Sequence, residues 1–409
     1  MKSFDELYRE LLKKNMAEDA SLPEEYDPYH LECLLNPREH AVVLQVEECE
    51  QCAYERACQN SCVFDAIERT DSGKLKINPA LCVGCEACIE ACQSGRLAAS
   101  KDALPAMKAV REAKGPVYMM VAPAFLGQFS DEVTPGKLRT AFKALGFTGM
   151  VEVALFADIL TLKEALEFDR HVNSQGDYQL TSCCCPVWIA MIRKIYHELM
   201  PHVPGAVSPM IACGRMIKRI HPDALTVFAG PCLAKKQEAR EPDIADAVDY
   251  VLTFQEIEDI FEAADIRPEE LKDEKKEQAS KAGRLYARSG GVSQAVSEMV
   301  DQLRPGRNIH VRSEQADGPK ACLEMIRRIK EGRTDANFFE GMGCIGGCVG
   351  GPKAILRADE GRVQVDAYGD SARFCTPLEN PYVRRVLEEL GLSTVEELLK
   401  DDLLTRDFS

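Results

Sequence analysis

Apolar positions recur at helical spacing from the start of the chain. Phe4, Leu7, Tyr8, Leu11 and Leu12 follow Ser3 and Glu6, which have the form of a capping box, and predict a short amphipathic helix whose job is packing. Pro23, Pro28 and Pro37 then predict turns, with His30 and Cys33 between them read as core residues rather than ligands. After about residue 100 short apolar runs alternate with helical periods. Strands are expected at 117–121, 151–155, 225–228, 248–252 and 309–311. Helices are expected at 135–145 behind a Thr134 cap, 157–169, 188–199, 291–303 and 319–330. Thr253 with Glu256, and Ser393 with Glu396, mark two further helix starts, and 269–281 reads as a solvated charged stretch. Such alternation predicts an α/β fold whose strand ends feed the loops that carry chemistry.

At 409 residues the chain is long enough for two unequal domains. Its formal charge of -16 disfavours nucleic acid or an anionic membrane as partner, since both reward a basic patch. The 18 cysteines would suggest disulfides in a secreted domain, but the opening Met1-Lys2-Ser3-Phe4 lacks the basic and apolar regions of a signal peptide. No apolar run approaches the roughly 18 residues that span a bilayer. The expectation is a soluble, cytoplasmic protein whose clustered thiols stay reduced and bind metal.

Cysteine spacing sharpens that expectation. Cys82, Cys85, Cys88 and Cys92 follow the bacterial ferredoxin pattern, in which three thiols hold one 4Fe-4S cluster and the fourth reaches across to a second. Cys49, Cys52, Cys58 and Cys62 look like the partner half, with three extra residues between the second and third thiols. The pairing inferred is Cys49, Cys52, Cys58 and Cys92 on one cluster and Cys62, Cys82, Cys85 and Cys88 on the other, with a single-cluster domain as the alternative. Such domains are small because cluster bonds replace much of the apolar core.

Three later loops also carry thiols: 181–188 (TSCCCPVW), 230–238 (GPCLAKKQE) and 340–351 (EGMGCIGGCVGG). In the last, Cys344 and Cys348 stand among glycines, whose missing Cβ predicts a backbone pressed against something large, read here as an inorganic cluster. Together the loops offer the four thiolates a cubane requires.

In sequence and order these loops resemble the three signature segments of the catalytic domain of [FeFe]-hydrogenases, and the tripled cysteine looks most like the group B branch. The resemblance covers about residues 100–400. It implies three segments: 1–40, helical and extended; 41–100, a ferredoxin-like domain with two 4Fe-4S clusters; and 101–409, a two-lobed catalytic domain. It further implies that Cys185, Cys232, Cys344 and Cys348 hold a 4Fe-4S cubane, with Cys348 bridging to a diiron unit that bears carbonyl, cyanide and azadithiolate ligands. Alignment on Pro186 and Trp188 makes Cys185 the ligand; alignment on Thr181 and Ser182 makes it Cys184.

Lys235 would face a metal-bound cyanide, and Pro123, Ser208 and Met342 would line the diiron pocket. Cys184, Glu164 and Glu167 would form a proton path, with the two glutamates at i and i+3 of one helix; Cys183 has no assigned role. The activity implied is interconversion of H2 with protons and electrons, which pass to a soluble carrier such as ferredoxin, after dedicated maturases supply the diiron site. A cluster-assembly protein and an H2 sensor are the alternatives. The chain departs from the family at Pro204, where a relay serine is expected, and at Met210, Gly230 and Ala124, which together suggest looser surroundings for the diiron unit.

Overall fold

Ser3 caps the first helix, Phe4–Met16, in both directions: its hydroxyl accepts from the Glu6 N–H, and the Glu6 carboxylate accepts from the Ser3 N–H at 2.8 Å. The buried stripe that follows lies against two helices of the main core, Ala103–Glu112 and Phe254–Ala263. The computed structural model describes residues 2–49, 56–70, 75–181 and 184–408. Where turns were expected, Pro28 opens a helix, Pro28–Leu35. Asp27 accepts from the Tyr29 N–H, and a proline in the first turn has no N–H to leave unpaired. His30 and Cys33 are buried on this helix, and His30 Nε2 meets Val46 O at 2.8 Å.

The next stretch is built from two antiparallel ribbons. Val43–Gln45 pairs with Leu97–Ala99, Ile67–Arg69 pairs with Leu75–Ile77, and the short helices Ala57–Asn60 and Ala87–Ala91 pack on each other. Outermost strands pair together and innermost strands pair together, as two similar halves closing on one another would arrange them. The apolar core here is small, and Cys58, Cys82 and Cys88 sit inside it beside Val43, Ile67 and Leu97.

The remainder contains two parallel sheets. One has the order Gly149–Glu152, Val117–Val121, Leu225–Gly230, Tyr250–Thr253, and the other Ser313–Asp317, Phe338–Met342, Gln179–Leu180. Crossover connections cover such sheets, so their central strands are apolar and buried. Phe338–Met342 is buried at all its positions. The Ala154–His171 helix packs against the helices Pro209–Ile220, Lys281–Leu285 and Gly291–Leu303, and is buried without interruption from Ala154 to Phe168. Enclosure on every side removes the need for a polar face, so its carboxylates point into protein.

Several expectations shift. Leu155 belongs to a helix rather than to the strand expected at 151–155, the strand expected at 309–311 forms at Ser313–Asp317, and the last helix is capped by Thr394 and Glu397. The helix expected at 188–199 starts at Pro186, ends at Lys194 and gives way to a 3-10 turn, His197–His202. The charged stretch 269–281 is not simply solvated. Lys137 Nζ donates to Glu269 O and Thr140 Oγ1 to Lys272 O, each at 2.7 Å, so the segment straps across the Pro135–Ala144 helix. Among the described residues no helix is long and apolar enough to cross a membrane.

Candidate metal centre

Three strand ends deliver three loops to one place. Gln179–Leu180 leads to Thr181 and, past positions 182 and 183, to Cys184 and Cys185; Ser182 and Cys183 lie outside the described residues. Leu225–Gly230 leads to Pro231 and Cys232, and Phe338–Met342 to Cys344 and the turn Cys348–Gly350. Each of Cys185, Cys232, Cys344 and Cys348 lies close enough to interact electrostatically with the other three. Cys185 Sγ also accepts from the Gly343 N–H at 3.2 Å, tying the first loop to the third. Burial pushes the thiols of Cys232, Cys344 and Cys348 up, the last to about 11.

Thiols in this position make poor free thiolates, because burial penalises the negative charge, but good metal ligands, because a bound cation supplies the missing charge. None of the described cysteines is in a disulfide, and no three described His, Cys, Asp or Glu groups close on a single ion. Four soft sulfurs from three loops fit a polynuclear iron-sulfur cluster in chemistry and number.

The glycines of the third loop have a different cause from the one expected. A Cβ on Gly341 would lie 2.1 Å from the Trp188 ring, and one on Gly347, where φ is +89°, would lie 2.5 Å from the Ser289 nitrogen. Close approach is required, but by protein against protein, which locks the loops together around the thiols.

Cys184 lies inside the protein beside the quartet. It interacts with the thiols of Cys185 and Cys348 and with the carboxylates of Glu164 and Glu340, and burial pushes its thiol well up. It is therefore a neutral thiol at ordinary pH, able both to donate and to accept. Glu164 and Glu167 are 3 % and 9 % exposed, so neither is a surface charge on a solvated helix. Glu164 Oε2 has Gln179 Nε2 at 3.5 Å, and Glu167 Oε1 has Lys163 Nζ at 3.3 Å. Lys235 is buried beside Cys232 and Cys348 and pairs with Glu238 at 2.7 Å; burial opposes its charge, but Glu238 and the thiols more than offset this and hold it up.

Of the other expected pocket residues, Met342 is buried at the end of its strand, where its carbonyl accepts from the Gly318 N–H at 2.9 Å. The Ser208 hydroxyl caps Pro209–Ile220 by accepting from the Ile211 N–H at 3.4 Å. Pro123 opens a 3-10 turn directly after the Val117–Val121 strand, with Ala124 buried behind it. Gly230 does not simply loosen the site: a Cβ there would lie 2.6 Å from the Phe228 ring, which fills that space from the same strand face.

A second quartet forms in the N-terminal unit. Cys62, Cys82, Cys85 and Cys88 each interact electrostatically with the other three, and burial pushes the last three up, Cys85 to about 11. They share a recess with Val43, Phe64, Ile67 and Ile77. Cys49 and Cys58 are buried elsewhere in the unit, and Arg69 donates to Cys49 O at 3.0 Å. Burial alone would raise the Cys92 thiol, but the Ser94 hydroxyl and nearby backbone N–H groups hold it below the usual thiol range. Cys52 lies outside the described residues.

The two quartets are close neighbours. Cys85 is near enough to influence Cys344 electrostatically, and Gly84, at φ +72°, lies so near the Cys232 loop that a Cβ would be 3.1 Å from Ala234 Cα. Glu86 is buried against Lys353 at 2.7 Å, and the Lys353 N–H donates to Pro231 O at 3.0 Å.

Sequence reasoning missed several of these groups. Glu340 accepts from the Gly290 and Ser293 N–H groups at 2.8 and 2.7 Å, capping the Gly291–Leu303 helix from another strand; burial pushes its carboxyl up. A lone acid in an otherwise apolar, glycine-rich strand was the available signal. Lys236 is enclosed by Ser100 O, Asp102 and Glu256 and pins the segment leaving the N-terminal unit to the Cys232 loop. Tyr286, whose hydroxyl accepts from Thr161 at 2.9 Å, interacts with Glu164 and Cys184.

This arrangement has a family. Residues 115–352, more than half of the chain, match the model for the iron only hydrogenase large subunit, C-terminal domain, and residues 75–95 match the 4Fe-4S binding domain. The chain belongs to the iron-only hydrogenase family and carries an N-terminal 4Fe-4S ferredoxin-like domain. Among its relatives is iron hydrogenase 1 of Clostridium pasteurianum, 26% identical over 289 residues, which are 58% of this chain and 49% of that protein; the chain thus spans about half of that relative. Cytosolic iron-sulfur assembly component 3 of Pongo abelii is 24% identical over 353 residues, 71% of this chain and 74% of the other. The fold is shared with a solved apo [FeFe]-hydrogenase of Chlamydomonas reinhardtii, with a TM-score of 0.62 at 21% identity, covering 75% of this chain and 98% of that one.

Proposed function

We propose that the protein is a group B-like [FeFe]-hydrogenase that interconverts H2 with protons and electrons, its electrons relayed through two N-terminal 4Fe-4S clusters to a soluble, ferredoxin-like carrier. Cys185, Cys232, Cys344 and Cys348 would hold the cubane, with Cys348 shared with a diiron unit supplied by maturases. When bound, that unit supplies the redox chemistry of H2. The chain's residues do the rest. Lys235, oriented by Glu238, offers its remaining N–H donors to an anionic ligand. Cys184 moves a proton between the centre and Glu164, and Glu167 continues the path, with water in place of the hydroxyl that Pro204 cannot provide. Cys82, Cys85, Cys88 and Cys62 would hold the nearer accessory cluster, and Cys49, Cys52, Cys58 and Cys92 the farther one.

The observation that carries this reading is that Cys184, a neutral thiol, interacts both with the four-thiol site, through Cys185 and Cys348, and with the buried carboxylate of Glu164. A cluster-assembly role, favoured by the assembly-component relative, does not require that thiol or the carboxylates behind it. Anaerobic loading with iron, sulfide and a synthetic diiron azadithiolate complex, followed by infrared spectroscopy and a gas assay, tests the proposal. Carbonyl and cyanide bands with H2 turnover are expected. Bands without turnover would favour a sensor, and absence of both would favour assembly.

A further inference from the structure

The strand Ile67–Arg69 turns two residues of different kinds toward the thiols of the N-terminal unit. Alternation along a strand puts Ile67 and Arg69 on one face and Glu68 on the other. Ile67 is buried in the small core with Cys58, Cys82 and Cys88, whereas Glu68 is exposed. An arginine on the core-facing side needs acceptors that an apolar residue would not, and the Cys49 loop supplies them. Arg69 Nη2 donates to Cys49 Sγ at 3.7 Å, and Nη1 donates to Cys49 O at 3.0 Å. Cys92, which the pairing above places on the same cluster, has Ser94 Oγ 3.5 Å from its sulfur, with the backbone N–H groups of Ser94, Arg96 and Leu97 beside it. The quartet of Cys62, Cys82, Cys85 and Cys88 has a different setting, the apolar recess of Val43, Phe64, Ile67 and Ile77. Lys194 influences Cys82, but it is an exposed residue held on Ala80 O at 2.7 Å, where water screens its charge.

We propose that Arg69 is a positioning residue for electron flow: its guanidinium on Cys49 stabilises the reduced form of the farther cluster and makes that cluster the place where an electron in the N-terminal unit comes to rest. The inference rests on the two-cluster reading above. Reduction of a 4Fe-4S cluster takes one electron from a one-electron carrier and lowers the net charge by one; no bond to hydrogen forms or breaks. Part of the added charge falls on the thiolate sulfurs, so a cation already donating to one of them holds the reduced state more strongly than the oxidised one. The half-buried position of Arg69 adds to the effect, because charges withdrawn from bulk water interact more strongly than charges within it. An apolar recess does the reverse for the nearer cluster, since it penalises the extra charge.

The test uses the full chain loaded with iron and sulfide alone, titrated with dithionite at controlled potentials while paramagnetic resonance follows the N-terminal clusters. Cys85→Ala, which removes a ligand of the nearer cluster, identifies the farther cluster's signal as the one that remains. In the unaltered chain that signal is expected to appear first on reduction. Arg69→Met should lower its ratio of reduced to oxidised cluster about tenfold at a fixed potential, equivalent to about 59 mV for one electron, with iron content and the nearer cluster's midpoint unchanged. Arg69→Lys, which keeps the charge, should recover most of the shift. If Arg69→Met loses iron, Arg69→Gln, which keeps a donor for Cys49 O, is expected to show the shift instead. An unmoved midpoint in a neutral variant that keeps its iron overturns the proposal, and so does first reduction of the nearer cluster in the unaltered chain. Loss of about four irons in both neutral variants also overturns it, because Arg69 would then only support the loop. An unaltered chain that binds about eight irons rather than about twelve overturns the two-cluster reading itself.

Discussion

The two thiol quartets are held by opposite strategies. Cys82 and Cys88 sit inside the small core of their unit, with Cys62 packed against it and Cys85 against the main core, so the sulfurs occupy space that side chains would fill in a larger domain. Cys185, Cys232, Cys344 and Cys348 sit on loops at the ends of buried parallel strands, which belong to the large apolar core through residues such as Leu180, Phe228, Phe338 and Phe339. A metal cluster in the first region would then contribute to folding, whereas the second would be a site that metal enters after folding. This division suits a centre whose diiron part would be added to a finished protein.

Metal removal should break the symmetry between the two regions most strongly. In the iron-free chain, amide hydrogen exchange is expected to become fast across 43–99 while the strands Val117–Val121 and Leu225–Gly230 stay protected, a difference of several kcal/mol in local opening. Equal loss in both regions would mean that the core also depends on metal.

Cys184→Ala should come next in size. Turnover is expected to fall by about a hundredfold or more, with iron content and the carbonyl and cyanide bands retained, because a proton carrier is lost and no ligand is. Full activity would move the shuttle to another group.

The junction offers two smaller tests. Lys353→Met leaves Glu86 buried without its partner and should destabilise the docked N-terminal unit by about 3 kcal/mol in denaturant unfolding, with much of the loss recovered by adding Glu86→Gln. Gly84→Ala combines a positive φ with a 3.1 Å approach to Ala234 Cα and should cost about 1–2 kcal/mol by the same measurement, while slowing electron flow between the quartets. An unchanged electron-transfer rate in both variants would show that their contact does not set the distance.

Much of the α/β core was legible because buried parallel strands are short apolar runs and helix caps have fixed chemistry; Val117–Val121 and the Thr253–Glu256 box needed no tertiary information. The second sheet was less visible. Gln179–Leu180 is too short to show a period, and Phe338–Met342 contains Glu340 and Gly341, which read as loop until Trp188 and the Gly291–Leu303 helix are placed against them. The thiol positions followed from spacing and order. The depth of Glu164 and Glu167 did not, since a helix enclosed by several others shows no stripe, and pairs such as Glu86 with Lys353 join residues far apart in sequence.

Counting iron after reconstitution with iron and sulfide alone tests the central claim most directly. If Cys185, Cys232, Cys344 and Cys348 hold one cubane, the double variant Cys232→Ala, Cys344→Ala should lose about four irons relative to the unaltered chain, while the paramagnetic signals of the N-terminal clusters persist. An iron content equal to that of the unaltered chain would contradict the account.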